Sequence, residues 1–249
     1  MEVEVIAETA AKTVYRDGEK AIKVFCKGFP KAEVLNEALI TARVEETGGI
    51  QVPKVLEVGV FEEKWSITFD FIKGRTLKQL MDEQPDQLHE LMDQMVTLHL
   101  SIMEKQCPLL NKLKDKMAKQ ISDSEDLEDV MRYDLQTRLD SMPKHTKLCH
   151  GDFNPSNIIV KEDGTIYVLD WVHATQGNAS ADVARTYLLF CLEDQRKADL
   201  YMDLFCSKTG TAKKYVQSWL PIVAAAQLSK KRPEETELLL QWANVFEYQ

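Results

Sequence analysis

The chain has 249 residues, 44% hydrophobic and 29% charged, a length for one large domain or two lobes and a composition at the globular average. No stretch approaches the ~20 uninterrupted apolar residues of a membrane span. The five cysteines (Cys26, Cys107, Cys149, Cys191, Cys206) form no C-x-x-C pair, which argues against a disulfide framework and a structural zinc. The formal charge of -9 is spread over the chain, with 10 bases and 13 acids in residues 1–74 and 21 and 27 in the remainder. Neither nucleic acid nor an anionic membrane is therefore an expected partner. Met1-Glu2-Val3-Glu4-Val5 lacks the basic and apolar regions of a secretory signal, so a reducing cytoplasm is the expected location.

The first part of the chain reads as strands. Glu4 to Ala7, Lys12 to Arg16, Lys20 to Phe25, Val55 to Phe61 and Trp65 to Ile72 are short, partly alternating and rich in β-branched or aromatic residues. Asp17-Gly18 is a hairpin turn signal. One helix interrupts them from about Lys31 to Glu46, with Val34, Leu35, Ala38, Leu39 and Ala42 expected on its buried stripe. After Lys73-Gly74 helical periodicity takes over. Thr76 is a candidate cap, and Leu88, Leu91, Met92, Met95, Leu98, His99 and Ile102 share a face on which His99 reads as a satisfied core histidine. The acidic run from Ser122 to Asp129 is expected to cap and charge a helix start rather than hold a cation. Asn157 to Lys161 and Thr165 to Asp170 read as two short strands around Glu162-Asp163-Gly164, and from Ser180 the chain is helical again. Cys149 reads as a small buried filler. A tight hinge is expected near Asp70 to Arg75.

The chemistry concentrates in His150-Gly151-Asp152-Phe153-Asn154-Pro155-Ser156-Asn157, with Asp170 thirteen residues beyond Asn157 at the end of an apolar strand. An Asp and an Asn five apart on a loop, then an Asp after a hairpin, place a proton acceptor (Asp152) and two oxygen ligands (Asn157, Asp170) around a phosphate-bound magnesium. The same residue types also suit a simple turn after a strand. The order H-x-D-x-x-x-x-N ahead of a strand-ending Asp is that of the protein-kinase template, which wants a strand lysine far upstream. Ala21-Ile22-Lys23-Val24 supplies it.

On these residues the chain resembles the aminoglycoside phosphotransferase and choline kinase family, the small-molecule branch of the protein-kinase-like fold. Asp182-Val183-Ala184-Arg185 is similar to the helix that follows the metal-binding Asp there, and Gly151 and Asn154 stand where protein kinases carry Arg and Lys. The resemblance implies an α+β, two-lobed kinase-like fold, with a nucleotide-binding lobe over 1–72, built on a small antiparallel sheet. A mostly helical lobe over 73–249 would carry the catalytic loop and acceptor site. It implies ATP- or GTP-dependent, magnesium-supported transfer of the γ-phosphoryl group to a hydroxyl of a small molecule. Asp152 would then accept or orient the hydroxyl proton, and His150 would brace the loop. Asn157 and Asp170 would hold magnesium. Lys23 would neutralise the α and β phosphates, held by Glu37, with Glu33 a rival for that pairing. Phe69 would be the gatekeeper beside the adenine, and the backbone of Asp70 and Ile72 would hydrogen-bond it.

Two features depart from the pattern. The loop Glu8-Thr9-Ala10-Ala11 has no glycine with which to approach phosphates closely. Only eleven residues, 171 to 181, separate Asp170 from Asp182, too few for the activation segment of a peptide kinase. A protein kinase, a catalytically silent nucleotide-binding protein and a metal phosphohydrolase using His150, Asp152 and Asp170 are the alternatives. The 27 acids after residue 74 favour an acceptor bearing amines, an aminoglycoside or amino alcohol, with Glu193, Asp194, Glu234 and Glu247 as candidate partners.

Overall fold

The computed structural model describes residues 4–244; Glu247 lies outside them. In chain order the elements begin with β1 (Glu4–Glu8), β2 (Lys12–Asp17), β3 (Lys20–Phe25), α1 (Lys31–Thr47), β4 (Val55–Phe61), β5 (Lys64–Asp70), β6 (Arg75–Thr76) and α2 (Leu77–Glu83). Then come α3 (Leu88–Met103), α4 (Leu113–Asp123), α5 (Asp129–Ser141), β7 (Lys147–Cys149), β8 (Ile158–Val160), β9 (Ile166–Val168) and β10 (Thr175–Gly177). The chain closes with α6 (Ala179–Cys191), α7 (Gln195–Thr209), α8 (Lys213–Gln217), α9 (Leu220–Leu228) and α10 (Pro233–Ala243). By packing it divides into two units. One runs to Glu83 and takes back Pro155–His173; the other holds Gln84–Asn154 and all that follows from Ala174. The packing boundary thus differs from the expected division at 72/73, because the β8–β9 hairpin pairs with β6.

The first unit is built on an antiparallel sheet of order β1-β2-β3-β5-β4. Asp17 faces Lys20 across the β2–β3 turn, where Gly18 takes φ 58°, the left-handed region a two-residue hairpin requires. Helix α1 covers a core of Phe25, Val34, Ala38 and Ile67. Its buried face is not the expected stripe: Leu35 and Leu39 are 45% and 47% exposed, while Val34, Glu37, Ala38, Thr41 and Val44 are buried. The helix is turned so that Glu37 faces inward, and that acid is masked in a purely apolar pattern. Gly74 marks the change of character for a steric reason, since a Cβ there would lie 2.5 Å from the Val160 carbonyl oxygen. Thr76 caps α2 reciprocally: its Oγ1 accepts from the Gln79 amide at 3.1 Å, and Gln79 Oε1 accepts from the Thr76 amide at 2.8 Å.

In the second unit α3 buries Leu91, Met92, Met95, Val96, His99 and Ile102. The nine residues of α9 are buried throughout, which makes it the central helix of the unit. Asn178 caps α6, its side chain accepting from the Ser180 amide at 2.9 Å. The acidic run does not cap α5 with a side chain; Glu128 occupies the cap position without such a bond and Asp129 opens the first turn. Instead the Arg132 guanidinium gathers the run's carbonyls, bonding those of Ser122, Ser124 and Leu127 at 2.7 to 2.8 Å. Among the described residues no helix is long and apolar enough to cross a membrane.

Candidate active site

In the first unit a buried lysine meets two of the expected acids. Lys23, on β3, faces inward and its Nζ lies 2.5 Å from Glu37 Oε1 and 3.1 Å from Asp170 Oδ1. Glu33, the rival partner, is exposed. Burial works against the Lys23 charge, but Asp170 and Glu37 outweigh it and raise the ammonium above its ordinary range. Asp170 is held at φ 59°, a left-handed conformation that Asp tolerates better than most residues and that turns the chain out of β9. Its second oxygen, Oδ2, takes Lys12 Nζ at 3.2 Å. Burial raises the Asp170 pKa, yet Lys23 and Lys12 together hold it well below the ordinary carboxylate range. Asn157 closes a short 3-10 turn, Pro155–Asn157, and its carbonyl accepts from the Leu169 amide at 2.8 Å. That bond ties the two expected oxygen donors to the base of one hairpin.

Phe69 and Asp70 lie on β5 of the same sheet, and Ile72 follows just beyond it. Lys23 Nζ sits 5.8 Å from the centre of the Phe69 ring. The Asp70 amide donates to the Lys54 carbonyl at 3.2 Å, so that N–H is already engaged. Phe69 and Ile72 are half-buried.

In the second unit hydrogen bonds gather around Asp182, which is buried on α6. Its carboxylate accepts from the amides of His150 at 2.7 Å and Gly151 at 2.8 Å. His99 Nε2 lies 3.0 Å from the same group, and His99 Nδ1 lies 2.6 Å from the Tyr201 hydroxyl. With Nε2–H toward the carboxylate, Nδ1 is left to accept from Tyr201. Burial raises the Asp182 pKa, but the His99 bond and the loop amides bring it below the ordinary range. The loop is thereby pinned at both amides ahead of Asp152. Gly151 takes φ 78° at that bend. The Asp152 amide donates to His150 Nδ1 at 3.2 Å, and Asn154 Nδ2 donates to the Asp152 carbonyl at 2.9 Å. Cys149 is buried, and desolvation pushes its thiol well above the ordinary range, which suits a filler and not a nucleophile.

The sequence matches the phosphotransferase enzyme family over residues 2–205. The chain belongs to that family. A search of curated proteins finds no match. Among solved structures, aminoglycoside phosphotransferase APH(4)-Ia, in a ternary complex with AMP-PNP and hygromycin B, is similar with TM-score 0.72 and 16% identity, over 97% of this chain and 90% of that one. An aminoglycoside-3'-phosphotransferase of type VIII gives 0.64 and 18% over 92% and 93%. The choline kinase LicA from Streptococcus pneumoniae gives 0.64 and 14% over 97% and 91%. These likenesses establish the kinase-like α+β fold.

For a phosphotransferase of this family the residues missed from the sequence are as informative as those found. Lys12, adjacent to the glycine-free loop, reaches Asp170; Thr9 folds that loop back, its amide and hydroxyl donating to the Lys12 carbonyl at 2.9 and 3.1 Å. Asp182, in a family-like segment to which the sequence assigns no role, organises the loop at His150–Asp152. Of the acids expected to meet an amine, Asp194 caps α7 through the Arg196 amide at 2.9 Å, Glu193 and Glu234 are exposed, and Glu234 acts with Asp152 on the Arg232 charge. Asp152 is flanked instead by Arg185 and Lys230, each 3.5 Å from Oδ1.

Proposed function

We propose that the chain transfers the γ-phosphoryl group of ATP or GTP to a hydroxyl of a small molecule. The observation that carries the reading is the buried Lys23 held between Glu37 and Asp170, a fixed cation on the nucleotide side, in a chain whose catalytic loop presents Asp152. The acceptor oxygen forms its bond to the γ phosphorus as the bond to the β,γ-bridging oxygen breaks. The nucleoside diphosphate leaves, and the hydroxyl proton passes to Asp152. Such a reaction asks mainly for positioning and charge stabilisation, and both are supplied by fixed groups.

Asp170 and Asn157 are hard oxygen donors suited to magnesium, and Lys12 Nζ on Asp170 Oδ2 marks where a cation is already welcome. Magnesium held there would neutralise nucleotide phosphate charge. Lys12, freed from Asp170, would bind phosphate oxygens in place of the amides a glycine-rich loop offers. Lys23 would neutralise the α and β phosphates. Phe69 and the Ile72 backbone would meet the base, since the Asp70 amide is engaged. His150 would hold the Asp152 amide and touch no substrate.

The test is a screen of hydroxyl acceptors, starting with the aminoglycosides and choline of the structural neighbours and extending to sugars and hydroxy acids. It measures nucleoside diphosphate release and the phosphorylated product together. Release that depends on the acceptor and is lost in Asp152→Asn is expected. Release indifferent to every acceptor would mean a phosphohydrolase instead.

A further inference from the structure

Within the first unit both oxygens of Asp170 are taken by lysines, and the two lysines are held differently. Lys23 Nζ lies 3.1 Å from Oδ1 and keeps a second carboxylate, Glu37, at 2.5 Å. Lys12 Nζ lies 3.2 Å from Oδ2. The Lys23 side chain is 11% exposed and that of Lys12 is 26% exposed. An Asp170 engaged by another cation would leave Lys23 paired with Glu37, while the long stem of Lys12 lets its head swing toward solvent. Of the two ammonium groups, that of Lys12 is the one able to leave.

The backbone beneath Lys12 is fixed. Its amide donates to the Thr9 hydroxyl at 3.2 Å, and the Thr9 amide and hydroxyl donate to its carbonyl at 2.9 and 3.1 Å. Across the sheet Lys12 faces Phe25, and the Cys26 amide donates to the Ala11 carbonyl at 2.8 Å. The amides of Thr9 and Lys12 are thus engaged inside the turn. What this position offers a phosphate is the ammonium head on an anchored stem.

We propose that Lys12 is a tethered cation that guards the metal-binding carboxylate of Asp170 until nucleotide phosphate draws it away, so that metal binds weakly to the nucleotide-free chain and the two ligands strengthen each other. This rests on the phosphotransferase reading, with Asp170 as its metal ligand, and concerns the order in which that site fills. The physical reason is competition for one oxygen. A divalent cation reaching Oδ2 must displace an ammonium group of the same unit, which its tether keeps at high effective concentration. A phosphate oxygen gives the displaced ammonium a second charge-assisted partner. The resulting coupling is reciprocal: phosphate favours metal by the factor with which metal favours phosphate.

Manganese(II) is the metal probe, because electron paramagnetic resonance reads its binding without turnover, and AMP-PNP is the nucleotide, with GMP-PNP alongside it for a chain that takes guanine. Without nucleotide, Lys12→Met should bind manganese about fivefold more tightly than the wild type, the size of a part-exposed charged contact. Lys12→Arg, which keeps the cation, should stay near the wild-type value. Asp170→Asn in the Lys12→Met background should abolish the gain. With manganese present, calorimetry should show the opposite sign for nucleotide, Lys12→Met binding AMP-PNP several-fold more weakly. A purely structural role for Lys12 would weaken both ligands together. Lys64→Met removes a charge from the β4–β5 turn and should change neither affinity. Each variant is checked for a cooperative melt, and Lys12→Gln repeats the measurement if Lys12→Met does not fold. Manganese affinity unchanged or weaker on loss of Lys12, an equal gain in Lys64→Met, or a gain that survives Asp170→Asn would overturn the inference. Nucleotide binding in the same samples keeps the two readings apart: a wild type that binds nucleotide but whose manganese affinity is indifferent to Lys12 overturns the inference alone, and a wild type that binds no nucleotide at any manganese concentration overturns the phosphotransferase reading and the guarding role with it.

Discussion

The two units balance charge in different ways. In the first unit two lysines, Lys12 and Lys23, meet two carboxylates, Glu37 and Asp170. In the second, Lys116, Lys230, Arg185 and Arg232 lie among Asp152, Glu235, Asp182 and Glu234. The consequences for the lysines are opposite. Lys23 is raised despite its burial, whereas Lys116 and Lys230 are lowered to about 8. A neutralised cluster is built to stand without its ligand and to exchange one cation for another.

The largest effect expected is on rate. Asp152→Asn removes the proton acceptor and should lower kcat by roughly 100- to 10,000-fold, or about 3 to 5 kcal/mol of barrier, with nucleotide affinity nearly intact. Half-maximal activity in this variant would place the acceptor base elsewhere.

Stability separates the two halves next. Asp182→Ala leaves His99 and two loop amides buried without their acceptor, and Lys23→Met leaves Glu37 buried without its cation. Each should destabilise by about 3 to 5 kcal/mol, the penalty for breaking a buried pair from one side, read by denaturant titration. Lys116→Met should instead leave stability unchanged or higher, because it removes a desolvated and repelled charge. A destabilisation of Lys116→Met equal to that of Lys23→Met would erase the contrast between the halves.

A pH titration of stability sharpens the comparison without mutation. Lys116 and Lys230 are lowered in the folded chain, so between about pH 8 and the unfolded lysine pKa of about 10.4 the unfolded chain binds more protons. There these two groups make stability rise with pH. Lys23 is raised, so its contribution is fully present below that unfolded value and is lost as pH climbs through its folded one. Asp170 and Asp182 are depressed; their contributions are present above the unfolded value of about 3.9 and fade as pH falls through their folded values. Comparing wild type with Lys116→Met between pH 7 and 10 isolates the Lys116 contribution: a variant with the same slope would show that Lys116 titrates normally.

The smallest effect concerns Lys12. Lys12→Met should raise the nucleotide KM several-fold, roughly 1 kcal/mol for a part-exposed charged contact, and leave the acceptor KM alone. An unchanged nucleotide KM would return the phosphate contact to the loop backbone.

Much of this arrangement is legible along the chain. The alternation of β2 and β3, the turn at Asp17-Gly18 and the face of α3 are local periodicities, and the structure reproduces them within a residue or two. The α1 face was misread for a specific reason: Glu37 and Thr41 are polar residues on a buried side, and Leu35 and Leu39 are apolar residues on an open one. The choice of Glu37 over Glu33 rests on the same rotation. Hydrophobic patterning cannot anticipate an acid that is buried because a lysine on another element neutralises it.

What the sequence determines by itself is the set of short-range relations: strand and helix periods, the five-residue step from Asp152 to Asn157, and the lysine in a strand. They are readable because backbone geometry repeats over a few residues. The tertiary structure decides which charges meet. Asp170 pairs with Lys23 and Lys12 at separations of 147 and 158 residues. Asp182 closes on His99 across 83 residues. Arg185 and Lys230 converge on Asp152 from α6 and from the end of α9. Electrostatic partnership depends on distance and burial in three dimensions, to which no local period is tied. The overall excess of acid therefore says little about the sign of charge at Asp152, where packing has concentrated the bases.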